Sequence, residues 1–211
     1  MAEQIYTNAL TTLQRVKDLM SITVADNDSV LTRLINAASD FIEDNCDQNF
    51  KSQSYVEKYS IWGDHMEFLQ LNNRHVTALT KLEIRTGTPS VPNWTTLSAD
   101  LYELVEDGEG GMIRLYPGFA PLLYTNSNAL QVTYTAGYKY DFANFGDKTK
   151  HDLPADLSGL CERLVIRWWK RRESGGKQSE SLRDSSITWK DLLDSEDVDT
   201  IQRYSRPNRF V

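Results

Sequence analysis

The segment Val30-Leu-Thr-Arg-Leu-Ile-Asn-Ala-Ala-Ser-Asp-Phe-Ile42 decides the fold, because its apolar residues recur every three to four positions. Polar residues fill the positions between them, as in a helix that buries one face. Asp26 and Asp28 precede the segment, where carboxylates favour a helix N-terminus. The pattern predicts an amphipathic helix from about Ser29 to Cys46.

The same spacing predicts helices at both ends of the chain. Asn8–Met20 carries a shorter apolar repeat and predicts a first helix, with Thr11 or Thr12 as its cap. Pro154 suits the first turn of another helix, which the apolar stripe extends to about Glu173. A short final helix is expected over either Trp189–Leu193 or Val198–Tyr204.

Between Ser52 and Tyr138 the helical period disappears. Short runs rich in β-branched and aromatic residues, separated by glycine, proline and asparagine, predict strands. The runs are Tyr55–Trp62, Met66–Leu71, Val76–Thr86, Leu101–Glu106, Met112–Tyr116 and Ala129–Thr135. Asp107–Gly111 separates two runs and predicts a hairpin turn.

These elements predict an α+β protein with a helical bundle, an antiparallel β insert and a flexible C-terminal tail. Two N-terminal helices and a long C-terminal helix form the bundle, from residues 1–50 and 154–175. Residues 51–140 form the insert, and residues 176–211 form a linker and a docking tail. The linker prediction depends on the polar, serine-rich stretch Lys177–Ser186.

The composition is that of a soluble globular chain, with 40% hydrophobic residues and a net charge of −7 over 211 residues. No apolar run is long enough for a bilayer, and Met1–Leu10 does not resemble a signal peptide. We therefore expect no membrane partner, and a cytoplasm or a particle assembled there as the location. In that setting Cys46 and Cys161 are expected to be buried thiols. The acidic balance disfavours a protein that holds DNA.

The sequence offers little for catalysis. His65, His75 and His151 are expected in exposed loops, and Asp64 beside His65 is only a weak acid–base pair. Two cysteines and three histidines do not match a zinc pattern. We expect no catalytic, cofactor-binding or metal-binding residue and no cofactor, and hence no enzyme; a small hydrolase using Asp64 and His65 is the rival interpretation.

The third helix has a basic side beside two tryptophans. Adjacent residues on a helix lie about 100° apart, so both indoles cannot enter one narrow stripe. An exposed tryptophan is typical of a protein interface. The predicted subunit interface comprises Arg163, Arg167, Trp168, Trp169 and Arg171. A solvated helix face and a nucleic-acid-binding module are the alternatives, and the second predicts salt-sensitive DNA binding.

The C-terminal segment changes from acidic to basic and aromatic. Lys190–Asp199 is rich in carboxylates, and Arg203 follows it. Aromatic and arginine anchors after a linker are typical of a docking tail, although a frayed terminus without a role would have the same composition. The predicted anchors are Tyr204, Arg206, Arg209 and Phe210.

Three segments together resemble the head-to-tail connector (adaptor, head completion) proteins of tailed bacteriophages, in the long form with a β insert. The first is the Leu31–Glu43 helix followed by Cys46 and Phe50. The second is Val132-Thr-Tyr-Thr-Ala-Gly-Tyr138, and the third runs from Leu153-Pro-Ala-Asp-Leu157 to Trp168-Trp-Lys-Arg-Arg-Glu173. The resemblance extends from about Leu13 to Glu173.

The resemblance implies a structural virion protein at the head–tail junction, assembled in the host cytoplasm. Such proteins form a ring, typically of twelve copies, between the portal and the stopper or tail, and DNA passes through the channel without specific binding. Tyr204, Arg206, Arg209 and Phe210 would be portal anchors by analogy. The insert would lie on the outer face of the ring or against a neighbour. A stopper or tail-completion protein is the alternative within the same class.

Overall fold

The computed structural model describes residues 4–61, 67–86, 90–116, 126–144, 146–174 and 193–206. Over these residues the chain forms two compact units. The helical unit extends to Gln48 and resumes over Lys139–Ser205, whereas the β unit contains Asn49–Tyr138 together with Arg206. The predicted α+β class is confirmed, since helices and antiparallel sheets occupy separate stretches. The predicted linker and the end of the predicted tail lie outside the described residues.

The helical unit begins with α1 (Leu13–Met20) and α2 (Asp28–Cys46). Thr12 caps α1, because its side-chain oxygen accepts a hydrogen bond from the backbone N–H of Arg15 at 3.3 Å. The first helix is therefore shorter than the Asn8–Met20 segment expected for it. The second begins within one residue of its predicted start.

Two further helices complete this unit, α3 (Ala155–Ser174) and α4 (Ser195–Tyr204). The buried face of α2 is the predicted stripe, and α2 packs against α1, α3 and α4. The second predicted position of the final helix is correct, since α4 includes Val198–Tyr204, and all but Leu193 of the other position lies outside the described residues. The fully buried apolar residues of α2 and α3 are Leu31, Ile35, Ala38, Ile42, Cys46, Leu157, Leu160, Cys161, Leu164 and Val165.

The β unit contains two antiparallel sheets. Its strands are β1 (Gln53–Ile61), β2 (Phe68–Gln70), β3 (Val76–Arg85), β4 (Trp94–Thr96), β5 (Tyr102–Leu104), β6 (Met112–Leu115) and β7 (Asn126–Ala136). One sheet has the order β1-β7-β3-β4, and the other has the order β2-β6-β5. Each of the six predicted runs contains a strand, whereas the three-residue strand β4 was not predicted.

The inner strand β7 pairs with both β1 and β3 in the larger sheet. Leu130, Val132, Tyr134 and Ala136 alternate along it, and each side chain is buried. Tyr134 pairs with Tyr55 across the sheet, and their rings stack at 5.4 Å between centroids. Alternation of this kind fixes the register, because a one-residue slip would turn the whole set away from the core.

The predicted hairpin is present between β5 and β6. Tyr102 pairs with Leu115, and Leu104 pairs with Ile113. The connection includes Gly108, whose φ of +85° lies in the left-handed region that glycine adopts without steric cost. The glycine-rich stretch is therefore a turn.

The β unit begins and ends at neighbouring backbone positions. The N–H of Tyr138 donates to the carbonyl of Phe50 at 2.6 Å, and the N–H of Ser52 donates to the carbonyl of Tyr138 at 2.8 Å. Gly137 allows this close approach: its φ is +102°, and a Cβ there would lie 2.7 Å from the carbonyl oxygens of Phe50 and Lys51.

Candidate assembly surfaces

The basic side of α3 is occupied by α4. The carboxylate of Asp197, whose side chain is 1% exposed, lies 2.9 Å from a guanidinium nitrogen of Arg163 and 2.8 Å from one of Arg167. Arg167 also binds Asp194 at 2.8 Å. Two of the five residues of the predicted subunit interface are thus engaged within the chain.

The pKa of Asp197 reflects two opposing effects. Burial raises the pKa, because a charged carboxylate loses hydration, but the hydrogen bonds from Arg167 and Arg163 outweigh burial and hold the pKa below its ordinary value. Asp197 is therefore ionised at neutral pH. Together with Asp194 and Glu196 it compensates the two guanidinium groups, which are then poor candidates for phosphate contacts.

Both ends of α4 are held in the helical unit. At the N-terminus, Asp194 and Asp197 form a capping box. At the C-terminus, the hydroxyl of Tyr204 donates to Asp156 at 2.8 Å, and the carbonyl of Tyr204 accepts from the side chain of Gln48 at 2.8 Å. The structure therefore places Tyr204, a predicted portal anchor, in contacts within its own chain.

Of the other three predicted anchors, the structure describes Arg206 alone. Arg206 is half-buried, and Arg209 and Phe210 lie outside the described residues. The assignment of these residues to portal docking stays a prediction.

The two tryptophans of α3 differ in burial. Trp169 is 6% exposed, lies four residues after the buried Val165, and carries the guanidinium of Arg172 at 5.5 Å from its ring centroid. Trp168 is only half-buried and meets Phe41 edge to face at 5.9 Å between ring centroids. The geometric argument that both indoles cannot share one stripe is thus reflected in their burial, and Trp168 is the indole at the surface.

Trp168 lines an open groove between α2 and α3, which we call the α2–α3 groove. Its volume is about 620 Å³, room for about 20 water molecules at bulk density. The walls are Leu34, Ala37, Asp40, Phe41 and Asp44 from α2 and Trp168, Arg171 and Arg172 from α3. Burial, followed by the nearby charge of Asp44, raises the pKa of Asp40. Sequence reasoning missed the α2 wall, because the apolar stripe of α2 indicates core without showing where its flank is left uncovered.

Two further exposed apolar side chains lie at the end of α1 and in the connection before α2. Leu19 is 57% exposed and Val24 is 55% exposed. The exposed carboxylates of Asp18 and Asp26 flank them. We call these four residues the α1 ridge.

The histidines provide no catalytic arrangement among the described residues. The Asp64–His65 pair lies outside them. The ring of His75 stacks on that of Tyr138 with 4.2 Å between centroids, and its Nδ1 lies 3.1 Å from Oε1 of Glu109. The expectation of exposed loop histidines is wrong for His151, which is 2% exposed because its loop folds over it.

Burial determines the protonation state of His151. Its Nδ1 accepts a hydrogen bond from the backbone N–H of Asp141 at 3.2 Å. Its ring packs against the ring of Phe142. Burial lowers the pKa of His151, although the charges of Asp152 and Asp141 oppose this effect. The imidazole is a neutral structural group at pH 7.

The sequence also does not predict a polar cluster in the β unit. Asn73 donates to the hydroxyl of Tyr134 at 3.1 Å and to Glu57 at 3.2 Å, and the hydroxyl of Tyr59 donates to Glu57. Burial is the main cause of the raised pKa of both tyrosines, so neither ionises near neutrality. These groups bond to one another and fix the turn before β3.

The thiols are unsuited to nucleophilic chemistry. Cys46 and Cys161 are free and fully buried, as expected from the sequence. Burial raises the pKa of each to about 12, so the reactive thiolate is negligible at pH 7. Among the described residues, no three His, Cys, Asp or Glu side chains are grouped to hold a metal ion. None of the described helices is long and apolar enough to cross a membrane.

The helical unit thus combines exposed apolar side chains with ion pairs that join its own helices. A family model for head completion proteins matches residues 9–193, so the chain belongs to the head completion protein family. The resemblance seen in the sequence is thereby confirmed. Membership of this family makes the chain a head completion protein, a structural component of a virion.

A solved structure provides the fold comparison. A chain from the neck of an empty GTA particle, computed with C6 symmetry, is similar with a TM-score of 0.59 and 17% sequence identity. The similarity covers 97% of this chain and 94% of the other, and shows a shared fold. No curated protein matches the chain.

Proposed function

We propose that the chain is a ring subunit in the neck of a tailed phage, located between the portal and the tail or stopper. The ring would extend the DNA channel of the filled head and complete the head. Membership of the head completion family over residues 9–193 carries this proposal. The shared fold with a chain of a particle neck computed with C6 symmetry supports it, and twelve copies agree with a six-fold arrangement.

The net charge agrees with a channel that lets DNA move. At −7 per chain, a ring of twelve would carry about −84 before screening. Carboxylates that face the channel would repel phosphates, so DNA would slide without binding. The pairing of Arg163 and Arg167 with Asp197 also disfavours a nucleic-acid-binding module.

The helical unit would form the body of the ring, and the C-terminal tail would dock on the portal. Arg206, Arg209 and Phe210 are of the arginine and aromatic types that often dominate the binding energy of an interface. Tyr204 would act from the end of α4, where its contacts with Asp156 and Gln48 fix the point at which the tail leaves the helix.

Light scattering of the purified protein, alone and mixed with its portal, tests the proposal. We expect a ring-sized species in at least one sample. Deleting residues 207–211, which leaves every described contact of α4 in place, should abolish portal binding. A chain that stays monomeric in both samples would contradict the ring, and portal binding that survives the deletion would contradict the docking tail.

A further inference from the structure

We infer that neighbouring copies of this chain meet head to tail, with the α1 ridge of one copy seated in the α2–α3 groove of the next. The inference rests on the proposed function, because it names the surfaces through which the ring would close.

Symmetry requires two different surfaces on each subunit. A ring of more than two identical chains closes through heterologous contacts, in which one patch of each copy meets another patch of its neighbour. The ridge and the groove share no residue, and both belong to the helical unit. One copy can therefore offer its ridge and its groove at the same time.

The two surfaces match in polarity. The groove is a concave surface with Leu34, Phe41 and Trp168 in its walls, and its volume of about 620 Å³ admits several side chains. Leu19, in the last turn of α1, and Val24, in the connection to α2, are large apolar side chains that remain more than half exposed. Water would leave both surfaces if the ridge entered the groove.

The charges specify one orientation. Asp18 and Asp26 give the ridge two carboxylates, while Arg171 and Arg172 give the α3 wall of the groove two exposed guanidinium groups. The α2 wall carries Asp40 and Asp44, which would repel an acidic ridge. The carboxylates of the ridge would therefore face α3, and this complementarity fixes the register of the contact.

Single-charge substitutions at exposed positions test the inference without disturbing the core. Leu19→Glu places a charge on the ridge, and Ala37→Glu places one in the groove, where Ala37 is exposed. Gln202→Glu is the matched control, since it adds the same charge at an exposed position of α4 that belongs to neither surface. Assembly is measured by sedimentation of the full chain, alone and on heads that carry the portal.

We expect Leu19→Glu and Ala37→Glu each to weaken self-association by about tenfold or more, and Gln202→Glu to assemble as the wild type does. The mixture is the decisive sample. Leu19→Glu keeps an intact groove and Ala37→Glu keeps an intact ridge, so a 1:1 mixture should form heterodimers and nothing larger.

Rings that form normally from either variant would overturn the inference while leaving the proposed ring intact. If both charge variants form rings without the portal and the protein lacking residues 207–211 does not, the C-terminal segment and not the α1 ridge joins the copies, and the inference is overturned. Wild-type protein that never associates, alone or on the head, would instead contradict the proposed function.

Discussion

Asp197 is the residue on which the attachment of α4 depends most. It is buried, it binds two arginines of α3, and it also takes part in the capping box of its own helix. Removing one partner of such a pair leaves the opposite charges uncompensated, which is more costly than losing the pair as a whole.

We predict that Asp197→Asn lowers the free energy of unfolding by about 2–4 kcal/mol. Asp199→Asn is the control: this carboxylate is exposed on the same helix, and its change should stay within about 0.5 kcal/mol. Urea unfolding at pH 7 measures both. Equal effects of the two substitutions would show that the ion pairs with α3 add nothing.

The pH dependence follows from the lowered pKa of Asp197. A carboxyl group with a folded pKa below its unfolded value of 3.8 stabilises the fold above that value, and the stabilisation is lost as the pH falls through the folded pKa. The difference between wild type and Asp197→Asn should therefore be constant from pH 5 to 7 and shrink below about pH 3.8.

The sequence shows both halves of this arrangement but not their pairing. The arginines were recognised as a basic side of α3, and the carboxylates were recognised as an acidic segment near the C-terminus. Local periodicity contains no information about which charged faces meet across a long connection. The basic side predicts a subunit interface, which stays a prediction, and the pairing of Arg163 and Arg167 with α4 is visible only in the structure.

At the scale of elements, the apolar period of the sequence predicts the helices and strands that bury one face in a core. The stripes of α2 and α3 and the alternation of β7 each face a core, so their patterns were readable. Strand β4 has three residues with largely exposed side chains, which leaves too short a pattern to recognise. The start of α1 was misplaced because Ala9 and Leu10 are buried without being helical.

The end of β7 depends on a glycine. We predict that Gly137→Ala destabilises the β unit by about 2–3 kcal/mol, since a Cβ would strain the positive φ and collide with backbone oxygens of Phe50 and Lys51. Gly110→Ala is the control, because a Cβ there meets nothing within 4 Å. Thermal unfolding compares the two variants. A Gly137→Ala protein as stable as Gly110→Ala would show that the turn has room to relax.

At the scale of the whole molecule, the β unit has its own core. Buried residues of both sheets form one cluster that includes Leu69, Leu82, Ile113 and Leu130. The backbone hydrogen bonds that join its first residues to Tyr138 also lie within it. These features are typical of a segment that folds by itself.

We predict that residues 49–138 fold when expressed alone, with a strand-rich circular dichroism spectrum and a cooperative thermal transition. Residues 49–125 are the control, because this fragment lacks β7, the inner strand that joins β1 to β3, and should not fold. A disordered spectrum for residues 49–138 would show that the unit needs the rest of the chain.

The hydrogen bonds that join the two ends of the β unit also affect the folding of the helices. A flexible loop of the 90 residues Asn49–Tyr138 would cost about 3 kcal/mol more to close than a loop of four, because closure entropy grows with the logarithm of length. The bonds among Phe50, Ser52 and Tyr138 close that loop within the insert itself. For the helical unit, the entropy cost of closing the segment between Gln48 and Lys139 is then that of a short connection, whatever the size of the folded insert. Evolution can therefore lengthen, shorten or exchange the insert while the helices keep their packing.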